Sequence, residues 1–154
     1  MEISLLINKQ VDNAFSKKLI NNCVKVISLN YKKIYSPKNI FIIAHIIKKY
    51  DLIHVHLFPS LYWVAFANLL ARKPLIYTEH STYNRRRSKW YLKLIEKWVY
   101  SRYKKIISIT DSTERNLKKW IDAKENDRRF MVINNGINLQ DFQNCVHQKY
   151  IPIH

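Results

Sequence analysis

Short runs of apolar and β-branched residues alternate along this chain with longer stretches in which apolar positions recur every three or four residues. That is the pattern of a parallel sheet covered by helices. It predicts strands at Ile3–Ile7, Val24–Leu29, Leu52–Val55, Leu75–Thr78, Ile106–Ile109 and Met131–Ile133. Between them it predicts helices at Ala14–Asn21, Asn39–Lys49, Ser60–Ala71, Lys89–Tyr103 and Ser112–Ile121. Leu52-Ile53-His54-Val55 and Ile106-Ile107-Ser108-Ile109 barely alternate, as expected of parallel strands buried on both faces. Ser36-Pro37 and Pro59-Ser60 mark helix starts, and Asp111 or Ser112 can cap the helix that contains Glu114. The expected architecture is α/β, with one parallel sheet of about six strands and right-handed crossovers. Asn135-Gly136 is a turn signal, and no period follows it as far as His154. Residues 1–134 are therefore expected to form the domain, and 135–154 a linker or tail toward something else.

Composition supports a folded domain: 154 residues, 47% of them hydrophobic, suffice for a buried core. The single glycine stands against an average usage of about 7%, which we attribute to AT-rich coding bias because lysine, asparagine and isoleucine are plentiful. Cys23 and Cys145 lie far apart with no metal-ligand spacing, so a reducing cytoplasm is the default expectation. Glu2 stands where a signal peptide needs positive charge, and the apolar stretch Leu57 to Ala71 is shorter than the roughly 20 residues that span a bilayer.

The formal net charge of +16 becomes informative once it is located, because residues 85–105 alone hold nine bases against one acid. Such a segment attracts polyanions, anionic lipid or phosphorylated ligands. Arg85, Arg86 and Arg87 lead into a helix on which Trp90, Tyr91, Leu94, Ile95, Trp98 and Val99 share one face, with Lys89, Lys93 and Lys97 on the other. Two readings stand open. The apolar face packs on the sheet and the lysines are merely solvated, or the segment touches an anionic membrane, where each surface cation contributes about 1 kcal/mol and tryptophan suits the interface.

Ligands of open parallel sheets bind at the carboxyl ends of the strands, which directs attention to the residues just beyond each run. These are His54 and His56, then Glu79, His80, Ser81 and Asn84, then Thr110 and Asp111, then Asn134 to Asn138. His54-Val55-His56 places two imidazoles on one side of an extended chain, so a metal site with Glu79 or His80 is conceivable. The plainer reading is that His54 hydrogen-bonds within the sheet end while His56 points into a crevice. No nucleophile-elbow pattern surrounds Ser81, and no glycine-rich phosphate loop follows the first strand. Dinucleotide dehydrogenases and P-loop enzymes thereby lose their main support.

Four ordered segments resemble a known family. Asp51-Leu52-Ile53-His54-Val55-His56-Leu57-Phe58-Pro59, Pro74-Leu75-Ile76-Tyr77-Thr78-Glu79-His80-Ser81-Thr82, Ile107-Ser108-Ile109-Thr110-Asp111-Ser112 and Val132-Ile133-Asn134-Asn135-Gly136-Ile137 are similar to the motifs of family-4 retaining glycosyltransferases of the GT-B fold. The likeness runs from about Ile3 to Phe142. It implies a Rossmann-like acceptor-side domain facing a second domain that holds most of a nucleotide-sugar. It also implies that the chain begins at the family's second strand, without the glycine-rich loop, so that the chain alone is expected to transfer no sugar.

By the same resemblance His80 lies beside the transferred sugar as the catalytic residue. From their place beyond the strand ends, His56, Glu79, Ser81, Asn84, Thr110, Asp111, Asn135 and Gly136 are the expected substrate contacts, with Arg85 from the basic segment beside them, and the resemblance implies that no metal or other cofactor is needed. The alternative for His80 and His56 is a histidine satisfied by neighbouring groups. Arg86, Arg87, Lys89, Trp90, Lys93 and Lys97 are the expected membrane or anion contacts. The implied partners are a nucleotide-sugar, a glycan or lipid-linked acceptor, peripheral anionic membrane at the inner face of the cytoplasmic membrane, and a separately encoded C-terminal half. The rival from another class is a noncatalytic basic α/β module that binds nucleic acid or a protein, which steep salt dependence would reveal.

Overall fold

The computed structural model describes residues 3–7, 25–29, 36–84, 87 and 89–136. The expected helix Ala14–Asn21 and the tail beyond Gly136 lie outside the described residues, as do Arg85 and Arg86. The strands are β1 (Ser4–Ile7), β2 (Lys25–Ser28), β3 (Ile53–His56), β4 (Leu75–Glu79), β5 (Lys105–Ser108) and β6 (Phe130–Val132). The helices are α1 (Lys38–Ile47), α2 (Ser60–Ala71), α3 (Trp90–Ser101) and α4 (Asp111–Ile121). Among the described residues every strand pairing is parallel, and the fold is the expected α/β arrangement. Among the described residues the strands hydrogen-bond as a pair, β1-β2, and a foursome, β3-β4-β5-β6. Apolar runs identify strands but carry no information on which strands become neighbours.

The chain divides into two compact units, which hold the described parts of Met1–Asp51 with Trp63–Lys73 and of Leu52–Tyr62 with Pro74–His154. In the first, β1 pairs with β2 in the register Ser4↔Lys25 to Ile7↔Ser28. Helix α1 buries Asn39, Ile43, Ala44 and Ile47, positions that recur at helical spacing along one face. Asn68 closes the end of α2, where its amide donates to the Lys73 carbonyl at 2.8 Å and accepts from the Lys73 N–H at 2.7 Å.

In the second unit the core gathers Val55, Leu61, Leu75, Tyr77, Val99, Tyr100, Tyr103, Ile106, Leu117, Ile121 and Phe130. Strand β3 stands at one edge of the four-stranded sheet and alternates after all, with Val55 buried and His54 and His56 exposed. Continuous burial on both faces, the sequence expectation for this segment, does not hold on the face that carries His54 and His56. The Tyr103 hydroxyl donates to the Leu61 carbonyl at 2.7 Å, which joins the end of α3 to the first turn of α2.

Helix α4 begins one residue earlier than the sequence suggests. Thr110, extended at φ −152° and ψ 158°, is the N-cap, and its Oγ1 accepts from the Thr113 N–H at 3.1 Å. Asp111 and Glu114 then lie in the first turn and Lys118 and Lys119 in the last, each sign at the helix end whose dipole favours it.

Helix α3 departs most from expectation. Its buried residues are Glu96, Val99 and Tyr100, whereas Trp90, Tyr91, Leu94, Ile95 and Trp98 are exposed. Of the two readings left open for this helix, sheet packing holds for Val99 alone, and the rest of the aromatic and aliphatic face points outward. Two hydrogen bonds to buried Glu96 hold the helix in this orientation. The Tyr62 hydroxyl donates to Oε1 at 2.6 Å and the Trp120 indole N–H to Oε2 at 2.7 Å, so each oxygen of the buried carboxylate has a donor on the inner face.

Candidate active site

The period of two along β3 and β4 decides which side chains meet. His54 pairs in register with Ile76 and His56 with Thr78, so His54, His56, Thr78 and His80 fall on one face of the sheet end. Tyr77 and Glu79 fall on the other. On the first face, His54 Nε2 and Thr78 Oγ1 are 2.8 Å apart, and His56 Nδ1 and His80 Nε2 are 3.2 Å apart. The rings of His54 and His56 are 4.3 Å apart and those of His56 and His80 are 5.5 Å apart. Three imidazoles thus form a row at the carboxyl ends of adjacent parallel strands, the place where open sheets bind ligands.

The bond between His56 and His80 constrains their chemistry. One ring nitrogen must donate and the other accept, so a neutral pair carries one further N–H donor and one further acceptor nitrogen whichever tautomer holds. A pair protonated on both rings has donors on all four nitrogens and loses the bond.

Partial burial lowers the pKa of His54, with a smaller contribution from His80, and lowers that of His56, with contributions from His54 and then His80. Both groups therefore bind protons less readily folded than unfolded, where the value is about 6.5. Their contribution to stability is complete above the unfolded value and is lost as pH falls through the lower folded values. Urea unfolding between about pH 8 and pH 5 is expected to show stability declining on the acid side, with a shallower decline in His54→Asn/His56→Asn. An unchanged slope in the double variant would remove these groups from the acid sensitivity.

The second face is a tightly connected polar cluster. Glu79 is buried, and its side chain is 4% exposed against 11% for its ion-pair partner Arg87, whose Nη2 lies 3.2 Å from Oε2. The Tyr100 hydroxyl donates to the same oxygen at 2.9 Å, and the Ser81 N–H donates to Oε1 at 3.0 Å. Burial, then Tyr77, Glu79 and Glu96, push the Tyr100 phenol well above its ordinary pKa, which keeps it a donor. Arg87 Nη1 also reaches the Thr82 carbonyl at 3.4 Å, and Asn116 Nδ2 donates to that carbonyl at 3.3 Å. Thr82 and Thr110 both meet the Thr113 hydroxyl, at 3.0 and 2.9 Å. The segment after β4 is thereby fastened to the start of α4.

Among the residues expected at the site, His56 and His80 are brought together. Glu79 and Ser81 lie beside them with Glu79 turned to the opposite face, and the Thr110 hydroxyl is engaged as a cap. Asp111 is exposed in the first turn of α4, Asn84 is half-buried, and Asn135 and Gly136 are exposed beyond β6. Among the expected membrane or anion contacts, Arg87 is turned inward to Glu79, whereas Lys89, Trp90 and Lys97 are exposed and Lys93 is half-buried. Tyr100, Thr82, Thr113 and Asn116 were missed, because their roles depend on α3 and α4 packing against β4 and β5. Among the described residues no group of three or more His, Cys, Asp or Glu side chains is placed to hold a metal ion.

Residues 7–141 match the family model described as Glycosyltransferase Family 4. The chain belongs to this family. No curated protein sequence matches it. Among solved structures, Anabaena Alr3699/HepE in complex with UDP and glucose superimposes with a TM-score of 0.67 at 16% identity, over 91% of this chain and 46% of that one. The same protein with UDP gives 0.66 at 17% identity, and with UDP-glucose 0.66 at 16%, each over 91% of this chain and 45% of HepE. The glycosyltransferase-family chain thus spans somewhat under half the length of these structures, and at this identity the likeness is one of fold: a parallel α/β arrangement similar to a GT-B domain.

Proposed function

We propose that this family-4 chain is the acceptor-side part of a glycosyltransferase. It would move a sugar from a nucleotide-sugar to a glycan or lipid-linked acceptor, with retention, in surface polysaccharide or glycolipid assembly at the cytoplasmic face of a membrane. The observation that carries the reading is the His56–His80 pair at the carboxyl ends of β3 and β4. Binding of UDP, glucose and UDP-glucose by HepE supports a nucleotide-sugar as the donor class. In this reaction the bond from the anomeric carbon to the donor phosphate oxygen breaks as a bond to the acceptor oxygen forms. The acceptor's proton leaves with the departing nucleoside diphosphate.

A histidine pair with one donor and one acceptor nitrogen suits two neighbouring sugar hydroxyls, and His80 would orient donor sugar and acceptor. The proposal includes no metal, because Glu79, the carboxylate that a mixed site would use, is held by Arg87 and Tyr100 on the opposite face. Most of the donor would be held by a second domain, supplied in the same polypeptide or as a separate chain.

The test is a transfer assay with a panel of nucleotide sugars and glycan or lipid acceptors, run with the chain alone and with a donor-binding domain supplied. Sugar transfer is expected only with both present. Effective molarities of roughly 10⁵ M or more arise from holding both substrates in near-attack geometry, which half of the binding surface does not achieve. No transfer in either arm, together with polyanion binding that weakens steeply with salt, would overturn the reading in favour of a basic binding module.

A further inference from the structure

The outward face of α3 carries a feature that sugar transfer does not use. Trp90 is 76% exposed and Leu94 65%, and Tyr91, Ile95 and Trp98 are exposed as well. Trp90, Leu94 and Trp98 follow one another at four-residue spacing, as do Tyr91 and Ile95, so the five form two adjacent rows along the helix surface. The Trp90 and Tyr91 rings meet edge to face at 6.3 Å, and the Arg102 guanidinium lies 5.8 Å from the Trp98 ring centre. Monomeric soluble domains rarely leave so continuous an apolar strip in water.

The charges beside this strip identify its occupant. Lys89, Lys93 and Lys97 run along one flank and Arg102 stands at the far end. Among the described residues Lys93 and Lys97 meet Asp122, whose carboxylate is 2.8 Å from Lys93 Nζ and 3.4 Å from Lys97 Nζ. A second copy of the same face would bring like charges together, and a nucleic acid would use the cations but leave Leu94 and Ile95 in water. A leaflet with anionic headgroups satisfies both halves, since cations reach the phosphates while aromatic and aliphatic side chains enter the headgroup boundary.

We propose that α3 is an interfacial helix that seats this chain on an anionic membrane by inserting Trp90, Tyr91, Leu94, Ile95 and Trp98. Arg87 is committed to Glu79 and is not counted among the anchoring cations. The proposal extends the functional reading to a docking surface, and its test involves no sugar transfer, so either can fail alone.

The test uses the whole chain with phosphatidylcholine vesicles, with or without phosphatidylglycerol. The wild-type protein is expected to co-sediment with the anionic vesicles, and its tryptophan emission to be quenched by lipids brominated near the headgroup. Trp90→Gln/Leu94→Gln/Trp98→Gln should weaken vesicle partitioning by roughly tenfold or more, because apolar insertion and charge contribute together. Its targets are exposed, so the fold is retained, and the quenching in the wild-type protein stands independently of any variant. Several results would overturn the proposal. They are unquenched emission in the bound protein, binding that survives the triple substitution, self-association abolished by that substitution without lipid binding, and RNA binding that depends on the same three side chains.

Discussion

Glu79→Ala is expected to cost about 3–5 kcal/mol of stability, the range for removing one partner of a buried ion pair. The variant leaves the Arg87 guanidinium in place with its Nε already buried and without a hydrogen-bond partner. It also leaves the hydroxyl of fully buried Tyr100 and the Ser81 N–H without the acceptor they share. A domain with a total stability of about 5–15 kcal/mol would lose a large fraction of it. Urea unfolding followed by tryptophan emission and by far-ultraviolet circular dichroism measures the loss.

Two companion variants show whether the ion pair carries that cost. Glu79→Gln keeps the shape and an acceptor oxygen, so it should lose about 1–3 kcal/mol, the penalty of an imperfectly satisfied buried group. Glu79→Leu/Arg87→Leu removes both charges and should be less damaging than Glu79→Ala alone, since apolar replacements of buried pairs are often neutral. A loss below about 1 kcal/mol in Glu79→Ala would mean that water reaches the cluster and screens it as on a surface.

This cluster also marks how far the sequence could be read. The β-branched runs and helical periods located all six described strands to within a residue or so at each end, because burial in a parallel sheet imposes that pattern. The motif order pointed to family 4, and the rule that ligands lie beyond the strand ends placed His56 and His80 together. What remained illegible depended on tertiary partners. Glu79 and Arg87 are eight residues apart, but nothing in that spacing says that a three-arginine run turns one guanidinium inward.

The orientation of α3 stayed open for a related reason. Hydrophobic period assigns the apolar face to the core, whereas Tyr62 and Trp120, remote in sequence, draw Glu96 inward. Thr110 supplanting Asp111 or Ser112 as the cap is a smaller case, since all three residue types cap well and the backbone path into the helix decides.

His80→Ala is expected to lower kcat by about 10²-fold or more in an assembled enzyme containing this chain and a donor-binding domain, while the acceptor KM changes little. This effect presupposes the proposed glycosyl transfer. A hydrogen bond aligned on the reacting groups strengthens as charge develops at the anomeric centre and on the departing diphosphate, so its loss raises the barrier more than it weakens binding. His80 is exposed, so its truncation should leave the unfolding midpoint almost unchanged, in contrast to Glu79→Ala. That difference separates a residue acting on substrate from one that holds the segment in place.

His56→Ala should lower kcat less, because it removes the partner that fixes the tautomer of His80 but leaves the imidazole itself. It should also change the acid limb of the kcat profile, as the lowered pKa of His56 no longer contributes to it. If kcat for His80→Ala stays within about threefold of the wild-type value, the imidazole makes no contact that the transition state uses. His80 would then be a surface histidine held by His56, and the catalytic contacts would have to come from elsewhere in the assembled enzyme.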